Sequence, residues 1–300
     1  METKLKNSIY YYQFQGDEYN IGKQYGKLLK KRNFNSDIIN TMNQINWENI
    51  KEKNSGVIFK IIQKKIKNWI QIIKSDYQDY IKIQTGLAEE LNINLDTILE
   101  LDILGEMSGI FCTIYCDQNK YYRILDTSLE HRKCLIDIFN EIHVLKINDY
   151  LVVNNPGYFN LHTLISDKFN FATFGNNLLD KKEYLKNDLP FYIRLKKYFM
   201  DSKNELEFIN NINNDTKIHY DVEIIINGKN NNYNVNAIYP EKNKENNIIE
   251  RSDYSPINTS NFEILHTNLP DFNRIFVLLF KDNKLYVNNS LVNNEFTEIK

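Results

Sequence analysis

The feature that most constrains this chain is a change of hydrophobic period near residue 112. From Val57 to Ile83 the pattern is helical. Ile58, Ile61, Ile62, Ile66, Trp69, Ile70 and Ile73 recur at three- and four-residue steps, with lysines between them. That spacing lays one apolar stripe along a helix and predicts a core-facing helix with a solvated basic side. After Cys112 the texture differs. CTIYC, YYRIL, IHVLKI, YLVVN and FNFATF are short runs rich in Ile, Val, Tyr and Thr, broken by turn residues, which is the pattern of strands. Helix runs and strand runs are segregated along the chain, which points to an α+β domain with largely antiparallel sheets.

Local signals fill in this outline. After a short extended start, Gln15-Gly16-Asp17 marks a turn into a helix over YNIGKQYGKLLKKRN. Gly22 and Gly26 lie four apart on one face of that helix, suited to close packing against another element. TGLAEELNINLDTILELDILGEM reads as helix, turn, helix, with Asp96 a candidate N-cap and the end at Ser108-Gly109. A helical pair is expected from Pro190 to Phe199 and from Lys203 to Ile212, with Asp201 or Ser202 capping the second. Asn227-Gly228 is the strongest hairpin signal. EKNKENNIIERSD reads as a solvated loop, and RIFVLLF and KLYVNN as two strands joined around Lys281-Asp282-Asn283.

Composition narrows the function classes. A chain of 300 residues with 42% hydrophobic and 25% charged residues is long enough for one large core. A net charge of −2 gives no electrostatic footprint for nucleic acid. No apolar run approaches the ~18 residues of a membrane span, and the start lacks the apolar core of a signal peptide, so a cytoplasmic protein is expected. Cys112, Cys116 and Cys134 are odd in number and lack framework or zinc spacing. The histidines His131, His143, His162, His219 and His266 fall in no metal motif, and no GxSxG, P-loop or GxGxxG is present. No metal or organic cofactor is expected.

Cys112 stands where the helical block gives way to strands. A cysteine at a chain terminus supplies its own base, because a free α-amine titrates near pH ~8 and accepts the thiol proton. Such a residue is first exposed by cutting the preceding peptide bond. FCT at 111–113, RILD at 123–126, HTNLPDF at 266–272 and the N-terminal segments EYNIGKQYGKLL and GLAEELNINLDTILELDILGEM occur in an order that spans nearly the whole chain. Together they resemble the cysteine N-terminal nucleophile hydrolases, the group of choloylglycine hydrolase, acid ceramidase, N-acylethanolamine acid amidase and the penicillin acyltransferases.

The resemblance implies a single domain with a four-layer αββα sandwich, two antiparallel sheets covered by helices. Residues 1–111 would be a helical pro-segment and 112–300 the catalytic segment, still associated after cleavage between Phe111 and Cys112. It implies Cys112 as nucleophile, Asp126 holding the freed amine, Arg123 favouring the thiolate, and Asn268 donating to the oxyanion. The substrate would be a linear N-acyl amide or acyl donor, and a homo-oligomer is compatible with it. The chain departs from the family in a shorter turn after CTIYC and in lacking a Gly-Met-Asn-like middle motif, for which Ser166, Asn176 and Asn177 are the candidate substitutes, with no choice among them set by the sequence.

Other readings of the same residues stand beside this one. Cys112 and Cys116 are also what a buried hydrophobe looks like. Arg123 and Asp126, three apart on a strand, point to opposite faces unless a bulge or strand end brings them together. A cysteine protease or transglutaminase-like enzyme would pair Cys112 or Cys116 with His131 or His266. A catalytically inactive binding protein on the same fold is the reading from a different class.

Overall fold

The structure, a computed structural model, describes residues 2–5, 8–107, 111–116, 120–128, 141–154, 156–157, 163–174, 191–215, 223–236, 244–246, 249–252, 272–281, 284–288 and 296–299. Around residues 111–128 the description is of backbone pairing and register. The helices are α1 (Glu18–Lys31), α2 (Ser36–Lys53), α3 (Gly56–Asp76), α4 (Gln78–Leu91), α5 (Leu95–Met107), α6 (Phe191–Asp201) and α7 (Glu205–Asn213). The strands are β1 (Glu2–Lys4), β2 (Ile9–Phe14), β3 (Phe111–Cys116), β4 (Lys120–Ser128), β5 (Ile142–Ile147), β6 (Tyr150–Asn154), β7 (Thr163–Ser166) and β8 (Asn170–Phe174). They continue with β9 (Glu223–Asn227), β10 (Asn232–Asn236), β11 (Lys244–Asn246), β12 (Ile249–Ser252), β13 (Phe272–Lys281), β14 (Lys284–Asn288) and β15 (Phe296–Ile299).

Among the described residues the strands form two sheets. The larger runs β1-β2-β5-β6-β7-β8-β9-β10-β11 and the smaller β12-β3-β4-β13-β14-β15. The α+β class is as expected. The larger sheet is mixed, however: β2 and β5 run parallel, with Tyr12 opposite Leu145, while the other described pairings are antiparallel. The N-terminal third is therefore not purely helical. It contributes β1 and β2 to the same sheet as strands from beyond residue 140.

Period-two alternation splits the larger sheet into two buried faces. Tyr12, Phe14, Leu145, Val152, Phe171, Ile224 and Ile226 join a core with residues of all seven helices. Their alternates Ile9, Ile142, Val144, Val153, Ile165, Ala172 and Ile225 join a second core with Leu285, Val287 and Ile299 of the smaller sheet. The described residues thus make three layers: helices, larger sheet, smaller sheet. Between the two sheets, β3 lies against β8.

Within the helical layer, α1 and α4 meet at glycines. A Cβ on Gly22 would sit 2.0 Å from the Ile83 carbonyl oxygen, one on Gly86 2.2 Å from that of Tyr19, and one on Gly26 2.7 Å from Glu90 Cβ. The close-packing reading of Gly22 and Gly26 holds, and Gly86 is its counterpart on α4.

Several boundaries differ from expectation. The long apolar stripe is broken at Tyr77 into α3 and α4, and Ile61 is 48% exposed rather than core. Asn94, not Asp96, caps α5, its side chain accepting from the Asp96 N–H at 2.8 Å. Asn204, not Asp201 or Ser202, caps α7. The Asn227-Gly228 hairpin forms, with Asn227 opposite Asn232. The solvated loop over 241–253 contains β11 and β12.

Candidate functional site

The strand that carries Cys112 starts at Phe111, just beyond the end of α5 at Met107. It is an interior strand, between β12 and β4. The β3–β4 register sets Phe111 opposite Asp126, Cys112 opposite Leu125 and Ile114 opposite Arg123. Asp126 is therefore one register step from Cys112 and Arg123 two. The strand break that was needed for Arg123 and Asp126 to converge is not in β4. The irregularity lies on the next strand, β13, where Ile275 is the extra residue between Arg274, opposite Asp126, and Phe276, opposite Leu125. A bulge there increases local twist beside the Cys112 position. Asn268, His131 and His266 lie outside the described residues, as do Asn176 and Asn177.

Ser166 is described and is taken up locally. Its Oγ donates to the Phe169 carbonyl at 2.8 Å and accepts from the backbone N–H groups of Lys168 and Phe169 at 3.3 Å each. It closes the β7–β8 turn and is not a spare donor.

The described histidine, His143, is buried on the helical face of β5 in a polar network. Its Nδ1 lies 2.8 Å from Tyr25 Oη and its Nε2 3.3 Å from Glu141 Oε2. The Gly157 N–H donates to Tyr25 Oη at 3.1 Å. Arg32 grips Glu141 with both Nε and Nη2 and stacks on the Tyr10 ring, 3.6 Å from its centroid. Burial alone would raise the Glu141 carboxyl. The bonds from His143 and Arg32 outweigh it and hold that carboxyl at about 2. An ionised Glu141 only accepts, so Nε2–H donates to it; in the neutral imidazole Nδ1 then accepts the Tyr25 hydroxyl proton. Every group is satisfied by this arrangement. The network ties the end of α1 to β5 and leaves the imidazole engaged on both sides. Local sequence carries no signal for it, since its members come from positions 25, 32, 141 and 143.

A second buried cluster joins α4, α5 and α6. Asp102 accepts from Tyr80 Oη and from Gln84 Nε2, the latter at 2.6 Å. Burial pushes its carboxyl up to about 7 and pushes the nearby Lys196 amine down to about 8. Such shifts are the usual mark of a desolvated charge, and they mark functional sites as well as structural ones. Among the described residues, no group of His, Cys, Asp and Glu is arranged to hold a metal ion, and no helix is long and apolar enough to cross a membrane.

No protein-family model matches this chain, and no curated protein matches it.

Proposed function

We propose that the chain is a cysteine N-terminal nucleophile hydrolase or acyltransferase, built on a four-layer αββα fold. It cuts itself between Phe111 and Cys112. The freed α-amine, titrating near pH ~8, takes the Cys112 thiol proton. The thiolate adds to the carbonyl carbon of a linear N-acyl amide. The intermediate collapses, the C–N bond breaks, and the amine leaves with the proton. The thioester on Cys112 is then attacked by water or by an acceptor amine, which restores the thiol. Asp126 holds the α-amine in place and Arg123 favours the thiolate. Asn268 donates to the oxyanion, a contact worth roughly 3 kcal/mol. The chemistry draws on no metal or organic cofactor.

The observation that supports this reading is the register at the start of β3. The bond to be cut opens an interior strand directly after the helical block, with Phe111 opposite Asp126 on the neighbouring strand. A nucleophile mounted on such a strand is held rigidly. Intact mass analysis of purified protein tests the reading. Two pieces are expected, the heavier beginning at Cys112, and Cys112→Ala should leave one. Active amidase with the 111–112 bond closed would overturn it.

A further inference from the structure

The pattern of α3 predicts Ile61 in the core, yet Ile61 is 48% exposed and Val57, one turn earlier, is 71% exposed. The buried stripe of α3 is Ile62, Ile66, Trp69, Ile70 and Ile73, so these two side chains point the other way. A single exposed aliphatic is ordinary. Met200 and Leu206, the other large exposed hydrophobics among the described residues, stand singly on α6 and α7. Val57 and Ile61 instead share an outward face with the exposed Lys60 and Lys64, because positions 57, 60, 61 and 64 follow the i, i+3, i+4, i+7 spacing of one helix face.

That helix is electrostatically one-sided. α3 carries Lys60, Lys64, Lys65, Lys67 and Lys74, and its first acid is its last residue, Asp76. Lys65 lies over the Trp69 ring, Lys74 pairs with Asp96, and Lys67 interacts electrostatically with Glu100. Among the described residues Lys60 and Lys64 have no acid within ion-pair distance. The end of α2 adds exposed Lys51 and Lys53, with Glu52 between them. The corner between α2 and α3 is also uncrowded. A Cβ on Gly56 would meet nothing within 4 Å, and Ser55 makes no side-chain cap bond to the first turn. The corner is nonetheless fixed, because Phe59 packs edge-on against Trp47 of α2, with ring centroids 5.7 Å apart.

We propose that this corner docks on an anionic phospholipid surface. Lys60 and Lys64, flanked by Lys51 and Lys53, meet the headgroup phosphates and carboxylates, while Val57 and Ile61 enter the acyl boundary. The long lysine stems allow both at once, since the ammonium stays at the headgroups while its apolar neighbour goes deeper. Charge alone would suit an acidic protein or a nucleic acid equally well. The paired aliphatics on the same face favour a surface with an anionic shell over an apolar interior. The site is independent of Cys112 and of the amidase reading.

Vesicle co-sedimentation of the full chain at low salt tests it. Phosphatidylcholine vesicles containing roughly one-third phosphatidylserine should carry the chain down, and vesicles of phosphatidylcholine alone should not. Lys60→Gln with Lys64→Gln should weaken binding roughly 25-fold, about fivefold per lysine. Lys229→Gln with Lys284→Gln, the same charge change at exposed positions on the sheets, should leave binding unchanged. Val57→Ser with Ile61→Ser should weaken it about tenfold or more. All six positions are exposed, so the variants keep the fold. No sedimentation with the phosphatidylserine vesicles, or equal sedimentation with both kinds, would overturn the proposal. So would equal losses from the two lysine pairs. A serine pair that binds as wild type does would overturn it too, because attraction by charge alone fits an acidic protein or a nucleic acid rather than a bilayer.

Discussion

Buried charge is the residue-scale theme of this molecule. The side chains of Arg194 and Asp215 are both 4% exposed. Arg194 Nη1 donates to the two Asp215 oxygens at 2.7 and 2.8 Å, and Tyr198 Oη donates to one of them at 2.5 Å. Removing one member of such a pair strands the other in the interior. Asp215→Ala is expected to destabilise by about 3–5 kcal/mol, whereas Arg194→Met with Asp215→Leu should recover most of that loss. Urea unfolding of the two variants measures the contrast, and a mild Asp215→Ala would contradict it. Glu141 makes the pH-dependent counterpart. Its folded carboxyl titrates at about 2, below the ~4.3 of an unfolded glutamate. A depressed carboxylate gives stability that is whole above the unfolded value and is lost as pH falls through the folded one. Wild type should exceed Glu141→Gln by about 3 kcal/mol near neutrality, and the gap should close as pH falls from ~4.5 toward ~2. A gap that stays constant over that range would assign the effect to shape rather than charge. Neither the Arg194–Asp215 pair nor the Glu141 network is legible in the sequence, because both join residues whose proximity only the fold creates.

Elements were legible to the degree that side-chain burial, rather than backbone pairing, defines them. The stripe of α3 and the short apolar runs of β5, β6 and β9, which are buried on both faces, are burial patterns, and they appear in the sequence as such. β11 and β12 are different. Each is the last strand of its sheet, and their sequences, KEN and IERS, are mostly polar. Edge strands hold their place by one ladder of backbone hydrogen bonds and favour charged side chains, so hydrophobicity says nothing of them. The break at Tyr77 is invisible for another reason: no glycine or proline stands there. The turn lets α4 lay Gly86 against α1, a demand set by the partner helix. That contact makes a sharp element-scale prediction. In Gly22→Ala the new methyl meets a backbone carbonyl of α4 rather than a flexible side chain, so α1 and α4 must separate. The variant should lose about 1–3 kcal/mol, the range for overpacking, although alanine is the better helix former. Gly56→Ala, at the start of α3 with nothing within 4 Å, should be close to neutral. Thermal melts of the pair compare the two directly, and equal losses would mean that the α1–α4 approach is looser than described.

At the scale of the whole molecule, the sheet that carries the candidate catalytic strand and the helices of the N-terminal segment cover opposite faces of the larger sheet. The sequence showed the order of helices and strands, and with it the α+β class. It did not show that β2 would lie parallel to β5, some 130 residues on, because strand partnership over that distance leaves no local pattern. This pairing decides how the two segments behave if the chain is divided at the proposed cleavage point. Residues 1–111 supply β1 and β2, the helices α1 to α5, and much of the core that covers the larger sheet. Residues 112–300 supply the rest of that sheet, and without β2 they leave β5 as a bare edge beside an uncovered apolar face. Neither part buries its surface alone, and the Arg32–Glu141 and Tyr25–His143 contacts also cross the division. Co-expressed as separate chains 1–111 and 112–300, the two pieces should therefore elute together at the size of the intact protein and part only in denaturant. The 112–300 piece by itself should aggregate, since a long unpaired strand edge next to exposed apolar surface templates association. Elution of two independent, soluble, folded pieces would show that the shared sheet does not hold the molecule together.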